Sequence, residues 1–195
     1  MHTLTKAMFG SLLVVGVAVF ATGPNSLAEE HTLRARAIIQ GPPGSPIEGI
    51  VTFTQKLDES GFPEPTVRVD ARVEGLQPGP HGIHIHEVGS CAPTTVAFAG
   101  AGGHFDPGPF GNSGPDVNHP FHMGDIPNLD VKENTKGHLE HTTSRITLSP
   151  GPLSVFDANG SAVVVHLNPD QGIPGASGSG VSGGPRIACG VIEPL

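Results

Sequence analysis

The chain has 195 residues and carries ten Lys and Arg against eighteen Asp and Glu, a formal net charge of -8 at pH 7. Its length indicates one domain, and an acidic balance without a basic stripe argues against binding to nucleic acid or to an anionic membrane surface. Gly and Pro together make up about a quarter of the residues. Because alternating apolar runs interrupt their clusters, long loops on a β framework are favoured over disorder.

Residues 1–28 are predicted to be a secretory signal peptide. Lys6 gives a weakly basic start, the apolar run Met8–Ala21 follows, and Ser26-Leu27-Ala28 is a small-x-small cleavage site. The apolar run has about fourteen residues, whereas a helix that spans a bilayer needs roughly 20. Cleavage would leave an exported domain of residues 29–195; the alternative is an uncleaved anchor. Apart from this segment, no membrane contact is expected.

Alternation of apolar and polar residues with a period of two predicts seven strands. In chain order they cover residues 33–39, 48–55, 66–74, 82–87, 138–148, 161–166 and 186–192. No helical period is long enough to compete with this pattern. With no Trp and no Tyr in the chain, the core must consist of Val, Ile, Leu, Ala and Phe. The sequence therefore predicts an all-β fold.

Two segments, Gly89–Asn128 and Asn168–Pro185, do not match any regular structure. The first is rich in Gly, Pro, His and Asp, and the second is rich in Gly and Ser. Loops of this length inside a domain are usually functional or disordered. Because both lie beside candidate ligands, we predict that they build the functional site.

The two cysteines, Cys91 and Cys189, are far apart in the sequence. An exported protein with two cysteines usually joins them in a disulfide. Closing a loop of about 100 residues is worth roughly 4.7 kcal/mol in the chain-entropy model. The alternative is a pair of free, buried thiols.

Histidines are concentrated at the ends of predicted strands and in the loops. His84 and His86 are two residues apart on one strand, so both imidazoles face the same way. Imidazole nitrogen suits copper and zinc, and a carboxylate among histidines suits zinc. Taken alone, the pair fits two exposed histidines on a strand edge equally well. Further candidate ligands are His104, His119, His122, Asp125 and His166.

Five segments resemble the signature blocks of the copper/zinc superoxide dismutases, in the family's order and over essentially the whole mature domain. They are HGIHIHEVGSC (81–91), AGGHFDPG (101–108), HMGDIPNL (122–129), VVVHLNPD (163–170) and GGPRIACGVI (183–192). A single H-x-H pair would be a weak signal, but five ordered blocks are specific. The resemblance implies an eight-stranded Greek-key β-sandwich, or flattened barrel, with two long loops that build the site.

The resemblance also implies a copper site of four imidazoles, with one copper per chain. The matching residues are His84, His86, His104 and His166. His104 matches the histidine that bridges copper and zinc, and Arg186 matches the arginine that holds superoxide beside copper, so both are implied to be catalytic. Cys91 and Cys189 match the family disulfide.

The zinc site implied by the resemblance is incomplete. Residues that match zinc ligands are His104, His122 and Asp125, and Asp170 matches the carboxylate that joins a copper histidine to a zinc histidine. The remaining zinc histidine aligns with Asn112, a poor zinc ligand, whereas a closed zinc site wants four good donors. Either His119 supplies the missing donor, or the site is weak or empty. In the second case the Asn112 amide could donate a hydrogen bond to Asp170.

The activity implied is disproportionation of superoxide to dioxygen and hydrogen peroxide by an exported enzyme, in the periplasm, on the cell surface or outside the cell. The alternative is a non-enzymatic copper-binding or copper-delivery protein on the same scaffold. Since a carrier has no need of an arginine that holds an anion, Arg186 favours the enzyme. A homodimer is a further expectation from the family. Two histidines outside every block, His138 and His141, are predicted to be surface residues of a strand.

Overall fold

The computed structural model describes residues 31–93, 96–107, 117–118, 122–173, 175–176 and 179–195. The predicted signal peptide lies outside these ranges, as do Asn112 and His119. A search of the described residues finds no helix with the length and apolar character needed to cross a membrane.

The described residues form eleven strands and one short 3₁₀ helix, Ala99–Ala101. The strands are β1 (Thr32–Gln40), β2 (Glu48–Leu57), β3 (Pro63–Glu74), β4 (Gly79–His81), β5 (Ile83–His86), β6 (Val117–Asn118), β7 (Leu129–Val131), β8 (Lys136–Thr143), β9 (Ala162–His166), β10 (Gly175–Ala176) and β11 (Arg186–Pro194). Nine of them make one sheet in the order β4-β7-β8-β3-β2-β1-β11-β9-β5, and β6 pairs with β10. All these pairings are antiparallel, so the all-β prediction is confirmed.

The large sheet nearly closes on itself because its two edge strands are neighbours in the chain. Only Gly82 separates β4 from β5. Its N–H donates to the Asn168 carbonyl, and its own carbonyl accepts from the His166 N–H, both at 2.8 Å. The barrel has nine strands rather than the predicted eight. One reason is that the chain changes partner at Gly82, so that β4 pairs with β7 and β5 pairs with β9.

Alternation of side chains places one face of each strand inside the barrel. On β1 to β3 the buried apolar residues are Ala35, Ala37, Ile39, Val51, Phe53, Val67, Val69, Ala71 and Val73. The core is aliphatic, with Phe53 and Phe105 as its largest buried side chains. This is the composition that the absence of Trp and Tyr predicts.

The strand predicted at 138–148 is wrong at its end, because β8 stops at Thr143. Ile146 and Leu148 are buried, at 0% and 6% exposure, which explains the apolar alternation. The backbone there bonds elsewhere, since the Leu148 and Ser149 N–H groups donate to Oε1 of Gln55 at 2.7 and 3.0 Å. A buried side chain thus takes the place of a neighbouring strand.

The hydrogen bonds of the buried Gln55 side chain can be tested by substitution. It is 1% exposed, and its Nε2 also donates to the Glu64 carbonyl at 2.7 Å. Replacement Gln55→Leu leaves these partners without a side-chain hydrogen bond, and each buried unsatisfied group costs about 1–3 kcal/mol. We expect Gln55→Leu to lower the free energy of unfolding by about 2–4 kcal/mol in urea titrations of the disulfide-bonded protein.

The matched control is Gln40→Leu, which changes an exposed glutamine of β1. Its effect should stay within about 0.5 kcal/mol, as is usual for surface substitutions. Equal stability of the Gln55→Leu and Gln40→Leu proteins would show that the Gln55 bonds do not hold the segment after β8.

Candidate metal centre

Four histidine side chains from three parts of the fold meet at one point. His84 and His86 are on β5, His166 ends β9, and His104 follows the 3₁₀ helix. One ring nitrogen of each lies within 4.8 Å of one nitrogen of all the others. The rings are packed closely, with the centroids of His84 and His104 4.1 Å apart. The structure therefore brings together the four residues that the sequence singled out for copper.

The long loop reaches this point because it is hydrogen-bonded to the free edge of β5. The Ile85 N–H donates to the Gly124 carbonyl, the Phe105 N–H donates to the Ile85 carbonyl, and the Gly124 N–H donates to the Phe105 carbonyl, at 2.9, 2.9 and 2.7 Å. A Cβ at position 124 would lie 2.2 Å from the Ile85 carbonyl oxygen, so only glycine fits there. These contacts hold His104 and Asp125 beside β5.

One nitrogen of each ring is held by an oxygen that can only accept. His84 Nε2 lies 2.8 Å from Oδ2 of Asp170, His86 Nδ1 lies 3.0 Å from the Gly102 carbonyl, and His166 Nδ1 lies 3.0 Å from the Gly184 carbonyl. Each of these nitrogens therefore carries the proton and donates. Metal-binding histidines are oriented by the same kind of contact.

The second nitrogens of the same three rings are buried and lack a hydrogen-bond partner among the described residues. They are His84 Nδ1, His86 Nε2 and His166 Nε2. A buried acceptor left unsatisfied costs about 1–3 kcal/mol. A bound metal ion would use all three lone pairs at once, and imidazole is a good ligand for copper and zinc. The donor set therefore fits a metal ion.

Burial keeps the rings in the neutral state that a metal needs. It lowers the pKa of His104 to about 4 and that of His166 to about 3, and electrostatic repulsion within the histidine cluster acts in the same direction. Burial, followed by His104 and Arg186, also holds the pKa of His86 well below its usual value. These three rings are neutral at neutral pH: one nitrogen of each carries a proton, and the other has a lone pair available to a metal.

A second group of possible ligands adjoins the first on the far side of His104. His104 Nδ1 lies 2.7 Å from Oδ1 of Asp125, while Oδ2 accepts the His122 backbone N–H at 3.0 Å and lies 3.6 Å from His122 Nδ1. Burial acts to raise the pKa of Asp125, but hydrogen bonds from His104 and His122 outweigh it and hold that pKa well below its usual range. The described residues thus give two imidazoles and one carboxylate, a set that suits zinc but lacks the fourth donor of a closed site.

Asp170 links the copper-side rings to the second loop. Burial opposes its ionisation, but hydrogen bonds from His84 and from the Gly172 N–H outweigh burial and lower its pKa. Its backbone is held by Asn128, whose Nδ2 donates to the Asp170 carbonyl at 2.9 Å and whose Oδ1 accepts the Asp170 N–H at 2.8 Å. Sequence reasoning missed Asn128, although it lies within the HMGDIPNL segment.

Arg186 begins β11 directly opposite His166. Its Nη1 donates to the Phe98 carbonyl at 2.9 Å, and its Nη2 donates to the Gly102 carbonyl at 2.6 Å. Both partners are carbonyl oxygens, which orient the guanidinium without neutralising its charge. Burial lowers the pKa of Arg186, and Glu87 opposes that shift. Because a guanidinium is not deprotonated in proteins, the group remains a cation beside the histidines.

The predicted disulfide is present between Cys91 and Cys189, whose Cα atoms are 5.7 Å apart. Cys189 lies on β11, three residues after Arg186, and Cys91 lies at the start of the first long loop. The bond fastens that loop to the strand on which Arg186 stands.

Among the other described histidines, three have been given surroundings by the fold that bear on the sequence predictions. His81 is 3% exposed, and its ring nitrogens lie 2.8 Å from the His166 carbonyl and 2.9 Å from the Gln77 carbonyl. His138 is exposed, as predicted, and lies next to the carboxylates of Asp70 and Glu140. Asp70 also pairs with Arg72, and Glu140 also pairs with Arg68. His141 is less exposed than predicted, and burial lowers its pKa.

These pKa shifts predict that acid destabilises the metal-free protein. His104 and His166 have folded pKa values of about 4 and about 3 against an ordinary 6.5, so between these values the unfolded chain binds more protons than the folded one. Stability therefore falls as the pH decreases through this range. We expect the free energy of unfolding in urea to drop by several kcal/mol, as an order of magnitude, between about pH 7.5 and pH 4.5.

Two histidine replacements test the origin of that drop. His104→Gln removes one of the responsible groups and should reduce the pH dependence, whereas His138→Gln changes an exposed histidine and should leave it as it is. A stability that does not change between these pH values in the unsubstituted protein would contradict the burial of neutral rings.

Comparisons with known proteins agree with this geometry. The family model described as copper/zinc superoxide dismutase matches residues 47–192. A superoxide dismutase [Cu-Zn] of Deinococcus radiodurans is 35% identical over 197 residues, covering 96% of this chain and 100% of the relative. An extracellular superoxide dismutase [Cu-Zn] of Drosophila melanogaster is 35% identical over 187 residues, covering 92% of this chain and 96% of the relative.

A solved structure, that of the clock protein EA4, superposes with a TM-score of 0.61 at 30% sequence identity. The superposition covers 83% of this chain and 94% of that one. Residues 47–192, which the family model matches, include both ligand groups and the disulfide. The chain belongs to the copper/zinc superoxide dismutase family.

Proposed function

We propose that the mature domain, residues 29–195, is an exported superoxide dismutase that binds one copper ion in its four-histidine cluster. The observation on which the proposal rests is the cation of Arg186, held by two carbonyls beside a group of neutral imidazoles. A metal-binding protein needs the imidazoles. Only a protein that must hold a small anion next to the metal needs the arginine as well.

The four imidazoles would hold copper through the nitrogens that the protein leaves unused. The residues are His84, His86, His104 and His166. When bound, copper supplies a centre that alternates between two oxidation states, so that one superoxide is oxidised to dioxygen and a second is reduced, with two protons, to hydrogen peroxide. Neutral nitrogen ligands tolerate both states of the metal.

Arg186 is proposed to bind the substrate. Its guanidinium offers several N–H donors in a fixed plane, which suits a small oxyanion. Two of its nitrogens are already engaged by carbonyl oxygens. The group therefore points in one direction before substrate arrives, and orienting it costs little at the moment of binding.

His104 is proposed to carry a proton to the reduced product. Asp125 accepts from its Nδ1, which leaves Nε2 as the nitrogen on the copper side. A proton on Nε2 would lie next to the anion that Arg186 holds. The same carboxylate bond keeps the ring in place while the proton moves.

For the zinc site, we propose weak or absent binding in the natural protein. The donors are His104, His122 and Asp125, and the sequence aligns Asn112 with the fourth. Asp125 already accepts a hydrogen bond from His104 Nδ1, so the ring is oriented without zinc. His119 as fourth donor is the competing proposal.

Export is supported by two observations. A disulfide persists in oxidising compartments and is rare in the cytosol, and one of the relatives is described as extracellular. We propose that residues 1–28 direct export and are removed, and that the protein acts in the periplasm, on the cell surface or outside the cell. A homodimer is the assembly proposed from the family.

The proposed role of Arg186 predicts a loss of rate without a loss of metal. In a superoxide-competition assay, we expect copper-loaded Arg186→Ala to be slower by at least about 10-fold, since one preorganised donor contributes up to about 10²- to 10³-fold. Copper content should stay at one per chain, and Arg36→Ala, an exposed arginine of β1, should be unaffected. A copper-delivery protein would instead show no dismutase rate in the unsubstituted form.

The zinc proposal predicts a metal stoichiometry. After equilibration with copper and zinc followed by gel filtration, the protein should retain one copper and well under one zinc per chain. Asn112→His should raise the zinc content towards one, because it restores a fourth donor. His119→Ala should change nothing. One firmly bound zinc that is lost in His119→Ala would establish His119 as the ligand and contradict the proposal.

A further inference from the structure

The orientation of Arg186 depends on the backbone of one short segment, Phe98–Gly102. Nη1 donates to the carbonyl at the beginning of this segment, and Nη2 donates to the carbonyl at its end. The Gly102 carbonyl also accepts from His86 Nδ1 at 3.0 Å, so it cannot move without disturbing a ring of the copper cluster. For the Phe98 carbonyl, no hydrogen bond from a copper-side histidine is seen among the described residues.

Phe98 has an unusual backbone conformation. Its φ of 58° and ψ of 19° lie in the left-handed region, and only one other described non-glycine residue, Thr135, has a positive φ. Side chains other than glycine and asparagine rarely adopt this region. Here it turns the chain so that the Phe98 carbonyl accepts both the Ala101 N–H, at 3.2 Å, and Arg186 Nη1, at 2.9 Å.

The Phe98 side chain is packed where it can hold that conformation. It lies against a small buried cluster made of Ala101, Ala162, Val164 and Cys189, against which the disulfide partner Cys91 also packs. Three of these residues are on β9 or β11, the strands that carry His166 and Arg186. The Phe98 ring is thus packed on β9 and β11, the strands that carry His166 and Arg186.

We propose that Phe98 is a positioning residue for Arg186: packing of its ring keeps its backbone left-handed, and this conformation directs its carbonyl to the guanidinium. The inference rests on the proposed role of Arg186 as the group that holds the anion. Phe98 acts on the guanidinium through its carbonyl, while its side chain packs against the apolar cluster beside the disulfide. A side chain at position 98 that gives up this packing, or that disfavours the left-handed region, should therefore weaken anion binding while copper binding stays intact.

The test compares two apolar replacements by titrating azide into the copper-loaded protein and following the cupric absorption. Phe98→Val introduces a β-branched residue, which strongly disfavours the left-handed region. We expect azide affinity to fall by about 5- to 10-fold. Phe98→Leu keeps an apolar side chain that is not branched at Cβ and can retain the packing, so azide affinity should stay within about twofold. The same holds for Val96→Ala, a control at an exposed position (63%) of the same loop.

Arg186→Ala separates the two levels of the proposal. If Arg186→Ala does not weaken azide binding, the proposed role of Arg186 fails. If it does, Phe98→Val should weaken binding in the presence of Arg186 and have no further effect in the Arg186→Ala background, because both changes then act through one group. If Phe98→Val weakens azide binding equally with and without Arg186, or weakens it in neither protein, the positioning role of Phe98 is wrong. The proposed role of Arg186 would then still stand.

A measurement on the metal-free protein gives an independent readout. In the unsubstituted protein the two Arg186 carbonyl bonds should slow rotation of the guanidinium, so that NMR resolves its Nη groups separately; Phe98→Val should merge them. Copper content and the absence of free thiols verify the fold of each variant. If Phe98→Val does not fold, Phe98→Ala removes the ring more mildly, and unchanged azide affinity in that protein would overturn the proposal.

Discussion

The site depends on one arrangement that is repeated around the cluster. Three of the four copper-side imidazoles are each held through one nitrogen by an oxygen that only accepts, and the other nitrogen is buried without a hydrogen-bond partner among the described residues. The acceptors are Asp170 for His84 and backbone carbonyls for His86 and His166. The first contact fixes the tautomer and the ring plane, and the second nitrogen becomes a ligand. Without a metal these buried lone pairs destabilise the fold, because they have no hydrogen-bond donor. Their convergence on one point therefore indicates a metal site.

The barrel explains why these groups meet. Three neighbouring strands at one edge of the sheet, β11, β9 and β5, carry the arginine and three of the four histidines. Closure through Gly82 brings the Asn168 end of the second long loop against this edge. The first long loop adds His104 by hydrogen-bonding to the other side of β5, and the disulfide ties its beginning to β11. Strand pairing thus sets the distances, and the loops complete the site.

Side-chain chemistry was predictable from the sequence, whereas backbone chemistry was not. Alternation located most strands, and the ordered segments identified all four cluster histidines, Arg186 and the disulfide. The failures have a common physical origin. Every residue has a carbonyl, so no pattern distinguishes Phe98, Gly102 and Gly184 as the acceptors that orient the site. The predicted strand after residue 137 was too long because Gln55, far away in sequence, satisfies the donors that a neighbouring strand would have used.

The account is tested most directly by X-ray absorption at the copper edge of the copper-loaded protein at neutral pH. Imidazole rings give a characteristic multiple-scattering pattern, so the number of coordinated rings can be fitted. The account predicts four nitrogen ligands at about 2.0 Å, with the pattern of at least three imidazoles. A first shell dominated by oxygen, or a fit with one or two imidazoles, would mean that the unpartnered ring nitrogens do not bind the metal and would contradict the account.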